Sequence, residues 1–402
     1  MQRNTYARKS YSSYFMKPRR AFGARPARFG AKRFSGKRKS RGEKIDPVRF
    51  VNKAVMDQAG ETLAAARKLQ DFDIDRQLKH RIACRGYKTA TPIQALAIPP
   101  ILKGSDVVGI ADTGTGKTAA FLIPLINKVL ADKKSKILIV APTRELADQI
   151  NKETKEFAKG LHIFTACCVG GASITRQIYE LRQDVSFIIG TPGRLKDLIE
   201  RNRINLAKFN TIVLDEADRM LDMGFINDMR FLMDKMPQIR QTLFFSATMS
   251  PKIKSLIGEF LHQPSMIAIK TRDTSQNVEQ DVVRIGKNQS KIETLQELLK
   301  QKEFAKVLVF GRTKYGVEHL YETLVKRGFK AESIHGNKNY SKRQKALEMF
   351  KKNFVQVLVA TDVAARGIDV ADITHVINYD LPETYEDYIH RIGRTGRGSN
   401  FG

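Results

Sequence analysis

Short apolar runs rich in β-branched residues recur from residue 72 onwards, and segments with helical periodicity separate them. Near-continuous apolar strands that alternate with helices are typical of parallel sheets covered on both faces. The pattern therefore predicts two α/β domains in tandem, each built on a parallel sheet. The predicted strands lie in the segments DVVGIA at 106, KILIVAP at 136, VSFIIGTP at 185, TIVLDEAD at 211, QTLFFSAT at 241, KVLVFGRT at 306, QVLVATD at 356 and THVINYDLP at 374.

Composition shifts along the chain predict where these domains begin and end. The first domain is expected over residues 72–271 and the second over 281–402, and the polar, turn-rich stretch 272–280 is typical of a linker. Residues 46–71 are predicted to form a mostly helical lead-in, and residues 1–45 a disordered tail. Ligands of such sheets bind beyond the carboxyl ends of the strands, which is where the predicted strands turn polar.

The tail is strongly basic. The chain carries a net charge of +28, and residues 1–44 contain 15 Lys and Arg against the single acid Glu43, which gives +14. Arg, Lys, Gly and Ser mixed with spaced aromatic residues favour an RNA-binding tail that uses phosphate contacts and base stacking. A solubilising tail and an organelle transit peptide have similar compositions, and both alternatives stay open.

Cysteine usage and hydropathy bear on where the protein works. The three cysteines, Cys84, Cys167 and Cys168, are too few and too unevenly spaced for a disulfide framework. No apolar run approaches the ~18 residues of a membrane-spanning helix. We therefore expect a cytoplasmic protein with no membrane partner.

Residues 109–121, GIADTGTGKTAAF, have the pattern of a phosphate-binding loop between a strand and a helix. Glycines let backbone N–H groups approach a phosphate, and the helix N-terminus adds a favourable dipole. Lys117 is predicted to reach the outer phosphates and the Thr118 hydroxyl to ligate Mg²⁺. Ala111 stands where the general pattern has its first glycine. The predicted nucleotide-binding loop comprises Ala111, Asp112, Thr113, Gly114, Thr115, Gly116, Lys117 and Thr118.

Three carboxylates directly follow the apolar run that ends at Leu214. Crowded acids repel one another, so a cation is needed to offset the cost. In phosphate-loop proteins an Asp at the end of a neighbouring strand holds Mg²⁺, and Asp215 fits this position. Glu216 beside it is placed to orient or deprotonate an attacking water.

The segment Asp215-Glu216-Ala217-Asp218 and the motifs around it resemble the DEAD-box ATP-dependent RNA helicases of superfamily 2, and among them the bacterial RhlE-like subgroup. The motifs follow in family order over roughly residues 72–402. The resemblance implies two tandem RecA-like, doubly wound parallel-sheet domains, ATP and Mg²⁺ as cofactors, and RNA as partner. The expected function is RNA-stimulated ATP hydrolysis coupled to local duplex unwinding and ribonucleoprotein remodelling, with backbone contacts to single-stranded and duplex RNA and little sequence preference.

The resemblance also implies roles for individual residues. Gln94 is similar to the family's adenine-reading glutamine, Phe72 to an aromatic residue that stacks on the base, and Asp369 to a ribose contact. Lys117, Asp215, Glu216 and the arginine fingers Arg394 and Arg397 are implied as catalytic residues. Coupling of hydrolysis to strand separation is implied for Asp218, Ser246, Thr248 and His390. RNA contacts are implied for Pro142, Thr143, Arg144, Gly171, Thr191, Pro192, Gly193, Arg194, Gly311, Arg312, Arg343 and Thr361.

Three departures from the family pattern accompany these matches. The family usually has Pro where Ala90 stands and Gln where Tyr340 stands. The sequence also ends five residues after Arg397, where family members continue, which leaves open a fragment or an incomplete second domain. Two other functions stay open: a nucleotide-dependent RNA clamp or annealing factor, and a DNA translocase of the same superfamily.

Overall fold

A computed structural model describes residues 67–112, 114–269, 278–286, 288–365, 370 and 372–395. The predicted tail, most of the predicted lead-in and most of the predicted linker lie outside this part of the chain. So do three predicted site residues, Thr113, Asp369 and Arg397. The boundaries proposed from the sequence for these segments stay predictions.

The first domain contains a seven-stranded parallel sheet with the order β3-β4-β2-β5-β6-β1-β7. Its strands are β1 (Val107–Ile110), β2 (Ile137–Val140), β3 (Thr165–Cys168), β4 (Phe187–Gly190), β5 (Thr211–Leu214), β6 (Gln241–Ser246) and β7 (Ser265–Ala268). Its helices are α1 (Arg76–Cys84), α2 (Pro92–Leu102), α3 (Lys117–Ala131), α4 (Arg144–Phe157), α5 (Ile174–Glu180), α6 (Pro192–Glu200), α7 (Ala217–Asp222), α8 (Ile226–Asp234) and α9 (Pro251–Phe260). Two short 3₁₀ helices are also present, Leu69–Asp71 and Leu206–Lys208.

The second domain contains a four-stranded parallel sheet with the order β11-β8-β10-β9. Its strands are β8 (Val307–Phe310), β9 (Ala331–Ile334), β10 (Val357–Ala360) and β11 (His375–Asn378). Its helices are α10 (Lys291–Leu299), α11 (Lys314–Lys326), α12 (Tyr340–Lys351), α13 (Asp362–Ala365) and α14 (Tyr385–Ile392).

Both sheets carry a core on each face, and successive side chains of a strand point to opposite sides. In the first sheet, Val107 belongs to a core with α1 to α4, whereas Val108 belongs to a core with α6 to α9. In the second sheet, Val307 packs in a core with α10 and α11, and Leu308 in a core with α12 and α13. The predicted fold class, two doubly wound parallel-sheet α/β domains, is confirmed.

All eight predicted strands are present, and three further strands were missed. The missed strands, β3, β7 and β9, lie at the edges of the two sheets. None of the helices in the described part of the chain is both long and apolar enough to cross a membrane.

Candidate functional site

The strand order divides the carboxyl edge of the first sheet into two halves. Strands β5, β6 and β1 are neighbours, so the predicted acidic motif, the Ser246–Thr248 segment and the phosphate loop come together. Strands β3, β4 and β2 form the other half, which carries the Gly170–Gly171, Thr191–Arg194 and Pro142–Arg144 segments. The predicted nucleotide residues and the predicted RNA residues therefore occupy adjacent halves of one edge.

The phosphate loop is held by its own backbone. Gly116 precedes α3 with a φ of 95°, a left-handed conformation that favours glycine. The Lys117 ammonium is buried and donates a hydrogen bond to the Ala111 carbonyl (2.7 Å), and the Thr115 hydroxyl donates to the Asp112 carbonyl (2.8 Å). The lysine therefore lies folded over the loop, at the position from which it would meet a phosphate.

Gln94 lies directly against this loop. It is 1% exposed, and its Nε2 donates to the Gly116 carbonyl (3.1 Å) while its Oε1 accepts from the Thr91 N–H (3.0 Å). A Cβ atom at position 116 would lie 2.5 Å from Gln94 Nε2, so this contact requires glycine there. The carboxamide joins the start of α2 to the phosphate loop, and its reading of adenine stays a prediction.

Phe72, which the resemblance implies stacks on a nucleotide base, lies inside the first domain in this structure. Its side chain is 1% exposed and belongs to the core formed with α1 to α4. The Arg67 guanidinium lies over the ring, 4.4 Å from its centroid. Arg67 therefore covers a face of the ring in this structure, and stacking on a base stays a prediction.

The carboxylates after β5 are buried and have cationic neighbours. Burial raises the pKa of Asp215 to about 7; Lys117 opposes this rise, and Glu216 adds to it. Glu216 adopts a left-handed φ of 51° and pairs with Arg219 at 3.0 Å. The crowding of acids noted in the sequence is thus offset by Lys117 and Arg219. Sequence reasoning missed Arg219, although its spacing of three residues from Glu216 on a helix was a usable signal.

Asp218 links the acidic motif to the end of β6. Its Oδ2 accepts hydrogen bonds from the N–H groups of Ala247 and Thr248, both at 3.0 Å, and from the Thr248 hydroxyl at 3.2 Å. Burial pushes the pKa of Asp218 upwards, but Lys117, Arg219 and hydrogen bonding outweigh it and hold this pKa below its usual value. The structure therefore brings together three of the predicted coupling residues, Asp218, Ser246 and Thr248.

The predicted RNA-binding residues of the first domain also cluster. The Arg144 guanidinium lies against Gly170 and Gly171, and a Cβ atom at Gly171 would come within 2.3 Å of Arg144 Nη1. Arg194 Nη1 donates to Gln177 Oε1 (3.0 Å) and reaches the Ala172 carbonyl (3.5 Å). The three predicted segments therefore form one surface.

Two of the predicted RNA-binding residues, Thr143 and Pro192, lie at the starts of helices that border this surface. The Thr143 hydroxyl accepts from the Leu146 N–H and caps α4, so it fixes the helix start. Pro192 is buried as the first residue of α6, next to Gly193 and after Thr191. Their placement supports an orienting role for these threonine and proline residues.

In the second domain the predicted residues follow β8 and β10. The Arg312 N–H donates to Asp380 Oδ2 (2.9 Å), next to Gly311 at the end of β8. Thr361 is buried at the end of β10, the neighbouring strand. These positions place Arg312 and Thr361 on one edge of the second sheet.

The arginine-rich motif on α14 is tied to that edge by Arg391, which sequence reasoning missed. Its guanidinium forms a two-pronged ion pair with Asp362 and donates to Asn378 Oδ1 (2.9 Å). Arg394 is buried and donates through Nε to the His390 carbonyl (3.2 Å). The described contacts place His390 and Arg394 within the second domain, and a link from His390 to Asp218 stays a prediction.

Helix α12 of the second domain contacts α4 of the first. Arg343 Nη2 lies 2.8 Å from Oε1 of Glu145, and both side chains are largely buried. Tyr340 packs against the core formed with α1 to α4, close to Gly171. The residue that departs from the family pattern therefore lies at the contact between the two domains, beside the predicted RNA surface.

Two family models match this chain. The DEAD/DEAH box helicase model matches residues 91–256, and the helicase conserved C-terminal domain model matches residues 290–399. These two ranges contain most of the site residues described above.

Curated relatives and a solved structure agree with these matches. The ATP-dependent RNA helicase CshA of Listeria monocytogenes is 44% identical over 339 residues, which cover 83% of this chain and 65% of that protein. The DEAD-box ATP-dependent RNA helicase CshA of Bacillus subtilis is 44% identical over 335 residues, which cover 83% of this chain and 68% of that protein. S. cerevisiae Dbp5 bound to RNA and ADP BeF3 superposes with a TM-score of 0.74 at 27% identity, over 84% of this chain and 88% of that chain. The chain thus spans about two thirds of the length of the curated relatives.

Proposed function

Because this chain belongs to the DEAD/DEAH-box helicase family, we propose that it is an RNA-stimulated ATPase that uses ATP to open RNA duplexes locally. Two RecA-like domains carry the two halves of the machinery. The first domain binds the triphosphate, and the second supplies arginines on closure. Its curated relatives are named ATP-dependent RNA helicases, and Dbp5, a structural neighbour, binds RNA and ADP BeF3.

The observation that carries the proposal is the cluster of Lys117, Asp215, Glu216 and Asp218 beyond the ends of β1 and β5, the two strands that flank β6. Lys117 meets the outer phosphates in place of the Ala111 carbonyl. Glu216 orients the attacking water and accepts its proton, and Arg219 holds this carboxylate in position. Asp218 couples the nucleotide site to the Ser246–Thr248 segment through the hydrogen bonds that it accepts from Thr248.

We propose Mg²⁺ as the metal of this site. Asp215 and the Thr118 hydroxyl offer the oxygen ligands that Mg²⁺ prefers. A buried carboxylate with a pKa raised to about 7 gains from a cation beside it. Within the described residues no group of three or more His, Cys, Asp or Glu side chains is arranged to hold a metal. Mg²⁺ would supply charge neutralisation at the phosphoryl group.

Substitution of Lys117 and Glu216 tests the proposal. We expect Lys117→Ala to weaken nucleotide binding, and Glu216→Gln to retain binding while RNA-stimulated ATP hydrolysis falls by about 10² or more, as expected for loss of a general base. Phosphate release with and without single-stranded RNA measures both effects. Lys208→Ala, an exposed lysine remote from the phosphate loop in sequence, serves as the control. Hydrolysis at the unsubstituted rate in either site variant would contradict the assignment.

A second function, a nucleotide-dependent RNA clamp, is favoured by the contact of α12 with α4. The Glu145–Arg343 pair and Tyr340 hold the domains together next to the RNA surface. A clamp would bind RNA in an ATP-dependent manner without releasing a strand, so duplex displacement separates it from a helicase. Comparison of ATPase stimulation by single-stranded RNA and DNA tests the third function, a DNA translocase.

We further propose that the protein works in the cytoplasm. Its three cysteines are free thiols in the structure, which fits a reducing compartment. Fractionation of the native host followed by immunodetection tests this location.

A further inference from the structure

Three loops meet at the amino edge of the second sheet, opposite the edge that carries Arg312 and Thr361. They are residues 299–305 before β8, 326–330 before β9 and 351–356 before β10, and we call them the amino-edge surface. They contain seven basic residues against one acid, Glu303. The basic residues are Lys300, Lys302, Lys326, Arg327, Lys330, Lys351 and Lys352.

Gln356 joins the three loops into one surface. Its side-chain Nε2 donates to the carbonyls of Leu299 (2.9 Å) and Phe304 (2.8 Å), and its backbone N–H donates to the Lys330 carbonyl (2.9 Å). Lys306 adds a bond to the Lys351 carbonyl (3.2 Å). Because one residue contacts all three loops, their lysines lie on a common, fixed platform.

Two acids beside the surface form ion pairs within the domain, and the seven basic residues outnumber these two acids and Glu303, so the surface keeps its positive sign. Lys306 Nζ pairs with Asp372 at 2.8 Å, and Lys352 pairs with Glu348 at 3.0 Å. Lys302 and Lys330 are exposed to solvent. A patch of this kind attracts polyanions over about a Debye length.

An exposed aromatic ring stands within the same surface. Phe354 is 63% exposed, in the turn after Asn353, whose φ of 61° is left-handed. An exposed ring among lysines is what single-stranded nucleic acid uses, since bases stack on the ring while phosphates meet the cations. An acidic peptide would use the lysines but not the ring face.

We propose that the amino-edge surface binds single-stranded RNA that flanks the segment held at the carboxyl edges. This inference rests on the proposed function, which supplies the RNA. A four-residue strand spans about 13 Å, so RNA leaving one edge of the sheet needs to turn only a short distance to reach the other. The surface would anchor a long substrate without touching the catalytic site.

The test compares RNAs of about 10 and about 40 nucleotides, because the shorter one is close to the footprint of a single binding groove. We expect Lys302→Glu/Lys330→Glu to weaken binding of the long RNA about tenfold at low salt. The slope of log affinity against log salt concentration for the long RNA should become shallower by about 0.7 for each lost phosphate contact. Short-RNA affinity and short-RNA-stimulated hydrolysis should stay unchanged. Lys208→Glu/Lys254→Glu, two exposed lysines of the first domain, makes the same charge change as a control.

Stacking is tested separately with Phe354→Trp. The chain contains no tryptophan, so this substitution gives a single fluorescent reporter. The long RNA should quench its fluorescence and the short RNA should not, and Phe354→Ala should weaken long-RNA binding only.

Several results would overturn the proposal. One is an unchanged long-RNA affinity in the Lys302/Lys330 variant, which would leave an acidic protein segment as the occupant of the surface. The others are an equal loss of affinity in the Lys208/Lys254 control and an absence of quenching of the Phe354→Trp variant by the long RNA. Hydrolysis stimulated by the short RNA reports on the proposed function by itself. Failure of the amino-edge proposal is therefore distinguishable from failure of the proposed function.

Discussion

Lys117 and Arg219 offset the repulsion among the three carboxylates that follow the buried strand β5. Burial favours a raised pKa for both Asp215 and Asp218, Lys117 opposes that effect at both, and Arg219 pairs with Glu216. Asp218 also accepts three hydrogen bonds and keeps a pKa below its usual value, whereas burial raises the pKa of Asp215 to about 7. Asp215 and Asp218, three residues apart, therefore have different proton affinities, which fits the proposed roles of cation ligand for Asp215 and fixed hydrogen-bond acceptor for Asp218.

Phe72 gives a residue-level prediction, because its side chain is enclosed in the core formed with α1 to α4. We expect Phe72→Leu to leave the KM for ATP within about twofold, since the side chain packs in the core and leucine keeps that packing apolar. Phe72→Ala should lower the free energy of unfolding by about 3 kcal/mol through the cavity it leaves. Steady-state ATPase kinetics and urea unfolding measure the two effects. A large rise in the KM for ATP in Phe72→Leu, with the free energy of unfolding unchanged, would indicate that Phe72 stacks on the base.

Gln94 and Asp215 lie near the phosphate loop and its Lys117, as motif matching suggested, because each lies within a contiguous segment whose backbone course is set locally. Phe72 stands 22 residues before Gln94, with α1 between them, so its surroundings depend on packing that local spacing does not encode. Arg391 was missed for a related reason. Its partner Asp362 lies 29 residues earlier, and only the folded sheet brings the two together.

Among the elements, all central strands were predicted, whereas of the four edge strands in the described sheets only β11 was. Strand β5 reads TIVL and is buried at every position, whereas β7 reads SMIA and is partly exposed. A strand covered on both faces needs an unbroken apolar sequence, but an edge strand does not. The same lack of signal hides β3 and β9.

The contact between α4 and α12 gives a prediction at the scale of elements. Burial raises the pKa of Glu145, and Arg343 opposes this rise. In Arg343→Ala the carboxylate loses its counter-charge, so its folded pKa lies further above the unfolded value of about 4.3. Between these two values the folded state binds more protons, so stability is lost as the pH rises. Thermal unfolding at pH 5 and pH 8 should show the larger destabilisation at pH 8, about 3 kcal/mol.

Glu145→Gln supplies the matched control for that prediction. Combined with Arg343→Ala, it removes the ionisable group and should abolish the pH dependence of the destabilisation. An Arg343→Ala variant as stable as the parent at both pH values would mean that the pair does not hold α12 on α4 in solution.

At the scale of the whole molecule, charge is divided evenly between two parts of very different length. Residues 1–44 carry +14, and the other 358 residues carry the remaining +14, part of it on the amino-edge surface. On the proposed function, both parts would offer cations to RNA phosphates besides the proposed contacts at the carboxyl edges. Contacts of this kind add affinity and salt dependence without sequence preference.

Deletion of residues 1–44 should therefore weaken RNA binding at low salt and flatten its salt dependence, by about 0.7 in log–log slope per lost phosphate contact. Titration of labelled RNA at several salt concentrations measures this change. The Lys302→Glu/Lys330→Glu variant provides a comparison, because it removes charge from the folded second domain while the tail is kept. If RNA affinity and its salt dependence are the same with and without residues 1–44, the tail serves solubility or targeting. A tail that binds RNA releases counterions, so its removal would have to reduce the salt dependence.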